Sequence, residues 1–137
     1  MNFEEKKKNL NIPEENVYLL QVPVEEIDVA IGDYESKLER INSFDIVGST
    51  RNGWGGKTWG DVLDHCFHKM YWFDNRRIQN INTILLHPLN EDFPVVVEEN
   101  NKFYIDGDGL HRLVIAKLLG IENVPVIVKR RKVLINK

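Results

Sequence analysis

The chain has 137 residues, 42% hydrophobic and 28% charged, which suits one globular domain that needs no disulfide or structural metal to fold. Its 18 Lys+Arg against 21 Asp+Glu give a net charge of −3, which counts against a dedicated DNA binder. The single cysteine, Cys66, excludes an internal disulfide framework and a multi-cysteine zinc site. It fits a cytoplasmic protein, as does the lack of a signal-peptide stretch or of an apolar run of about 20 residues.

Residues 2–10 suit a short polar helix that ends before Pro13. Val17 to Val22 reads as a buried strand stopped by Pro23. Asp33 is placed to cap a helix through Ile41, with Tyr34, Leu38 and Ile41 on one face. Ser49 to Gly60 is a loop rich in glycine and tryptophan. Thr58 is then the N-cap of a helix to about Met70 that carries Val62, Cys66 and Met70. A further helix is expected from about Asn75 to His87.

The last fifty residues are patterned most clearly. Pro94–Glu98 is a strand, Glu99–Lys102 a hairpin turn and Phe103–Asp106 the return strand. Gly107-Asp108-Gly109 breaks it. Leu110–Leu119 is a helix closed by Gly120, and Val124–Val128 is a strand. Strand, helix and strand with short joints predict a parallel crossover unit.

Charge is spread unevenly. Residues 1–50 hold 11 acidic and 5 basic side chains, whereas residues 101–137 hold 3 and 8. Part of the basic excess is Lys129-Arg130-Arg131-Lys132, either a solvated strand end or a nucleic-acid contact.

The strongest chemical signal is Asp106-Gly107-Asp108-Gly109-Leu110-His111-Arg112, between a strand end and a helix start. Glycines allow a sharp turn and a close approach by a ligand, and the first amides of a helix attract anions. Arg112 offers a planar fork suited to phosphate oxygens. Two potential cations at a helix N-terminus oppose the helix dipole unless an anion completes the site. In the plainer reading Asp108 caps the helix and the glycines only turn the chain.

Other motifs carry less. Gly55-Gly56-Lys57-Thr58 ends like a P-loop, but the glycine required at position 51 is Arg51. Trp54 and Trp59 either stack on a base or anchor the loop to the core, and the loop itself is a candidate lid. His65 and His68 have a spacing that serves a metal, but no second ligand cluster is visible and no metal site is assigned. Asp74-Asn75-Arg76-Arg77 reads as a helix start.

The run from Phe103 to Gly120, followed by Val124-Pro125-Val126-Ile127-Val128, resembles the core of the ParB/sulfiredoxin-like superfamily. Val22-Pro23-Val24-Glu25-Glu26-Ile27 is similar to the opening strand and turn of that domain. The resemblance is firm over 93–129, and 43–90 diverge. It implies an α+β fold over residues 1–137, a small mixed sheet with a βαβ unit and packed helices. It also implies a nucleotide of the ATP, ADP or CTP type, with Mg²⁺, whose phosphates lie on the glycine turn.

The family spans CTP-hydrolysing partition proteins, sulfinic acid reductases, a free-serine kinase and reputed nucleases. Leu110 stands where the reductases carry their cysteine, which argues against that chemistry. Partition proteins carry Arg-Arg where this chain has His111-Arg112, and with nine residues after Val128 no helix-turn-helix domain is expected.

The implied activity is phosphoryl transfer or nucleotide hydrolysis. Gly107, Gly109, Leu110, His111 and Arg112 would hold phosphate. His111, Asp106, Asp108 and Glu26 (or Glu25) would act on the reacting groups. The alternative is a non-catalytic module that meets nucleic acid or protein through Lys129, Arg130, Arg131 and Lys132.

Overall fold

A computed structural model describes residues 12–29, 32–50, 57–69, 93–107 and 110–132. The elements are α1 (Glu14–Leu19), β1 (Glu25–Glu26), β2 (Tyr34–Ile41), a 3-10 turn (Ser43–Asp45), β3 (Ile46–Ser49), α2 (Trp59–Lys69), β4 (Val95–Glu99), β5 (Lys102–Ile105), α3 (Leu110–Leu119) and β6 (Val124–Arg131). The strands form one mixed sheet in the order β1-β3-β5-β4-β6-β2. The chain is therefore α+β, with three helices and six strands among the described residues. None of these helices is long and apolar enough to cross a membrane.

The C-terminal region follows its sequence closely. Asn100 (φ 52°) and Asn101 (φ 65°) make the tight turn of the β4–β5 hairpin, a backbone that asparagine tolerates. α3 ends in paired bonds from the Gly120 amide to Lys117 and from the Ile121 amide to Ala116, the closure that a glycine after a helix makes possible. Residues 113–118 of α3 are all buried. Thr58 caps α2, its hydroxyl accepting from the Asp61 amide at 3.1 Å. The Asp61 carboxylate accepts from the Lys57 and Thr58 amides, each at 3.1 Å.

Three expectations are corrected. Val17–Val22 is no strand, because Glu14–Leu19 is helical. Pro13 precedes it in extended backbone, and Glu14 and Glu15 complement the dipole of its first turn. Only Leu20 of the apolar run is fully buried, whereas Tyr18 is 70% exposed. Residues 34–41 are strand and not helix, because all eight pair antiparallel with β6. That ladder also carries β6 on to Arg131. Finally, β5, α3 and β6 do not form a parallel crossover. β4 lies between the two strands, antiparallel to β5 and parallel to β6, so β5 and β6 run in opposite directions. The helices expected over 2–10 and 75–87 lie outside the described residues.

The core fills one face of the sheet. Ile46, Val96, Ile105, Val126 and Val128 meet Trp59, Val62 and Leu63 of α2 and Leu113, Val114 and Leu118 of α3. A bulge at Val47 keeps both Ile46 and Ser49 on this face and turns Gly48 to the other. Pairing then aligns Glu25, Gly48, Tyr104, Val97 and Lys129 on the opposite face.

Candidate functional site

β3 and β5 are parallel neighbours, so their carboxyl ends emerge side by side. They are stitched there. The Thr50 amide donates to the Ile105 carbonyl at 3.0 Å, and the Thr50 hydroxyl donates to Asp106 Oδ1 at 3.0 Å. Lys129, reaching in from β6, donates to Asp106 Oδ2 at 3.0 Å. The Asp106 amide is held by the Val95 carbonyl at 2.9 Å. Asp106 is thus fixed by β3, β4 and β6 where the chain leaves β5.

Gly107 follows with φ 81°, and a Cβ built there would meet nothing within 4 Å. The glycine is required by backbone conformation, since a side chain strains in that region, although there is space for one. α3 starts at Leu110, and Arg112 stands half-buried in its first turn. Asp108 and Gly109 lie outside the described residues, as do the side chains of Leu110 and His111.

The loop begun at Ser49 starts from this junction through Thr50. Its far end is anchored beside β1: the Lys57 carbonyl accepts from the Val24 amide at 3.0 Å, and the Trp59 amide donates to Val22 at 3.3 Å. Trp59 is buried and anchors the loop to the core. The hydroxyl of Thr58 serves as the cap of α2, which accounts for the Lys57-Thr58 pair without a P-loop. Trp54 and residues 51–56 lie outside the described residues, as does Asp74–Arg77.

Two residues before Asp106, on the same side of β5, stands Tyr104. Its hydroxyl donates to Glu25 Oε2 at 2.8 Å, and Lys102 donates to Glu25 Oε1 at 3.3 Å. A Cβ on Gly48 would lie 1.8 Å from the Glu25 carbonyl and 2.8 Å from the Tyr104 ring, so this glycine is what lets the two side chains meet. The hydrogen bond from Tyr104 holds the Glu25 carboxyl below its ordinary range, with Lys102 adding to the effect. Burial and the Glu25 carboxylate push the Tyr104 phenol up to about 12. Of the two glutamates considered from sequence, Glu25 shares the face of Asp106. Glu26 pairs with Ser49 and lies on the other face.

The basic run at 129–132 is largely consumed inside the sheet. Lys129 pairs with Asp106, Arg130 with Glu39 and Glu98, and Arg131 with Glu99 while lying over the Tyr34 ring. The hydrogen bond from Arg130 keeps the Glu39 carboxyl low. A phosphate backbone would have to compete with these carboxylates.

Sequence reasoning missed Thr50, Tyr104 and Lys102, although the two-residue spacing of Tyr104 and Asp106 was a usable signal. It also missed Lys117. That ammonium is 4% exposed and donates to the carbonyls of Ser43 (3.2 Å) and Ile46 (2.7 Å). It lies 4.6 Å from the Trp59 ring centre and 5.3 Å from that of Phe44. Burial pulls it down to about 8, against a smaller opposing pull from Asp45.

The donor set bears on a metal. Among the described residues no group of three or more His, Cys, Asp or Glu is placed to hold one. Each Asp106 oxygen already accepts a hydrogen bond, from Thr50 and from Lys129, and Asp108 lies outside the described residues. Lys129 supplies a positive charge beside that carboxylate. In comparisons with known proteins, no family model, no curated protein and no solved structure matches this chain significantly.

Proposed function

We propose that the turn after β5 binds the phosphates of a nucleoside phosphate of the ATP, ADP or CTP type, in a domain of ParB/sulfiredoxin-like fold, and supports phosphoryl transfer or hydrolysis. The junction of Thr50, Asp106 and Gly107 is the observation that carries this reading. It fixes a glycine-dependent exit from β5, with open space around Gly107, directly before α3, whose start favours an anion through the helix dipole.

Arg112 supplies charge for the phosphoryl oxygens, and His111 binds phosphate or moves a proton. Asp106 is held by Thr50 and Lys129, so its part is to orient an acceptor hydroxyl or the turn itself. Glu25 fits the second acidic position better than Glu26, because it shares the face of Asp106. Its depressed pKa makes it a weak base, suited to accepting a hydrogen bond from the acceptor. The module that meets nucleic acid through residues 129–132 gains no support from Lys129, Arg130 and Arg131, which are already paired in the sheet.

Calorimetry with ATP, ADP and CTP, each with and without Mg²⁺, tests the proposal. Binding is expected with at least one nucleotide. Gly107→Val and Arg112→Ala should each weaken it tenfold or more, by roughly 1.4 kcal/mol. No heat with any of the three would sink the reading.

A further inference from the structure

The two outer strands of the sheet are unlike. β1 has two residues, too few to template anything. β2 has eight, paired to β6 without a break in register, and its outer edge has no strand partner among the described residues. Such an edge presents free amides and carbonyls to any strand that fits. Proteins usually blunt long edges with proline, bulges or charge. β2 has no proline and no bulge, so its charges decide what it accepts.

Two of its four charges, Lys37 and Glu39, are self-complementary. Leu38, 53% exposed, sits mid-strand between Lys37 and Glu39. Turned antiparallel on itself about Leu38, the segment sets Lys37 opposite Glu39 and Ser36 opposite Arg40. We propose that β2 pairs antiparallel with β2 of a second copy of this chain, about a two-fold axis at Leu38, to make one continuous sheet. Leu38 then meets the partner's Leu38, and Lys37 of each copy meets the partner's Glu39. Glu39 is already bonded to Arg130, so each Lys37 joins an existing ion-pair network.

The register is specific. Pairing residues of equal parity keeps the helix-covered faces of both copies on one side. A shift of one residue would set Lys37 against Leu38 and reverse one face against the other. A two-fold pairing uses up both edges, so assembly stops at two chains.

Sedimentation equilibrium of the full chain over a dilution series tests this. The expected result is a monomer–dimer equilibrium. Lys37→Glu and Glu39→Lys should each weaken dimerisation about tenfold or more, because like charges then stand opposite at two places. An equimolar mixture of the two variants should restore it. Leu38→Lys, which leaves the Glu39–Arg130 pair intact, should also give monomers, with far-UV circular dichroism confirming the fold. The proposal is overturned by a monomer at every concentration, by open-ended larger assemblies, or by a dimer as tight in Lys37→Glu and Leu38→Lys as in the native chain.

Discussion

The two faces of the sheet hold one informative lysine each. On the helix-covered side, Lys117 is buried with no carboxylate in bonding range among the described residues, its charge met by two carbonyls and two aromatic rings. On the open side, the Lys129 side chain is 38% exposed and bonded to a carboxylate. Burial sets the cost of moving each one. The first is built into the packing of α3 against β3 and α2. The second belongs to a half-exposed ion pair worth little in stability. The packed core thus lies on one face and the Asp106–Lys129 pair on the other, while α3 brings Arg112 to the end of β5.

The largest expected effect sits on the covered face. Trp59→Ala should cost about 3–5 kcal/mol in denaturant unfolding, since the ring is buried and also lies against Lys117. If the loss were below about 1 kcal/mol, the covered face would not be where stability resides.

Lys117 sharpens the contrast through pH. Its folded pKa of about 8 lies below the ordinary 10.5, so between those values the unfolded chain holds more protons. Stability therefore rises with pH across that window, by roughly 3 kcal/mol at most, and is flat in this respect below it. A neutral amine keeps N–H donors for the Ser43 and Ile46 carbonyls. Lys117→Met removes the titration, so the native-minus-variant difference in unfolding free energy should climb from pH 8 to 10.5. A level difference would show that the rings and carbonyls hold the charge at no penalty.

Gly48 joins the faces, and its replacement should have a middling effect. Gly48→Ala drives a methyl into the Glu25 carbonyl and the Tyr104 ring, and β1 must shift. The expected loss is about 1–3 kcal/mol by thermal melting, with the Trp59 fluorescence environment unchanged. A variant as stable as the native chain would mean that β1 is not closely packed against β3.

What the sequence showed and hid follows from the range of the interactions. The hairpin at Asn100-Asn101, the cap at Thr58 and the stop at Gly120 are local chemistry and were readable. Tyr34, Leu38 and Ile41 have helical spacing, and only pairing with residues 124–131, some ninety positions away, makes them a strand. The crossover failed for the same reason, because β4 takes the place beside β6. At the site, Asp106 and Gly107 were visible in the glycine-rich run. Thr50 follows β3, and Glu25 and Lys129 come from β1 and β6, so nothing local marks Lys129 as a neighbour of Asp106 and not a free cation.

The smallest effect in stability is the most specific test of the open face. Glu25→Gln removes the negative charge that the Tyr104 hydroxyl faces, while the amide oxygen still accepts its hydrogen bond. The phenol should then titrate below its native midpoint of about 12, toward the ordinary 10. Subtracting the ultraviolet pH titration of Tyr104→Phe from that of the native chain isolates this one phenol from the other three tyrosines. The same subtraction in the Glu25→Gln background gives the shifted midpoint. Burial alone also raises Tyr104, so the return should be partial, and an unmoved midpoint would mean that Glu25 exerts no field there. Bound nucleotide, if its phosphates sit at Gly107, adds negative charge three positions beyond Tyr104, just past the end of β5, and should raise the native midpoint further. The same titration therefore reports whether the face that contributes least to stability is the one that meets the ligand.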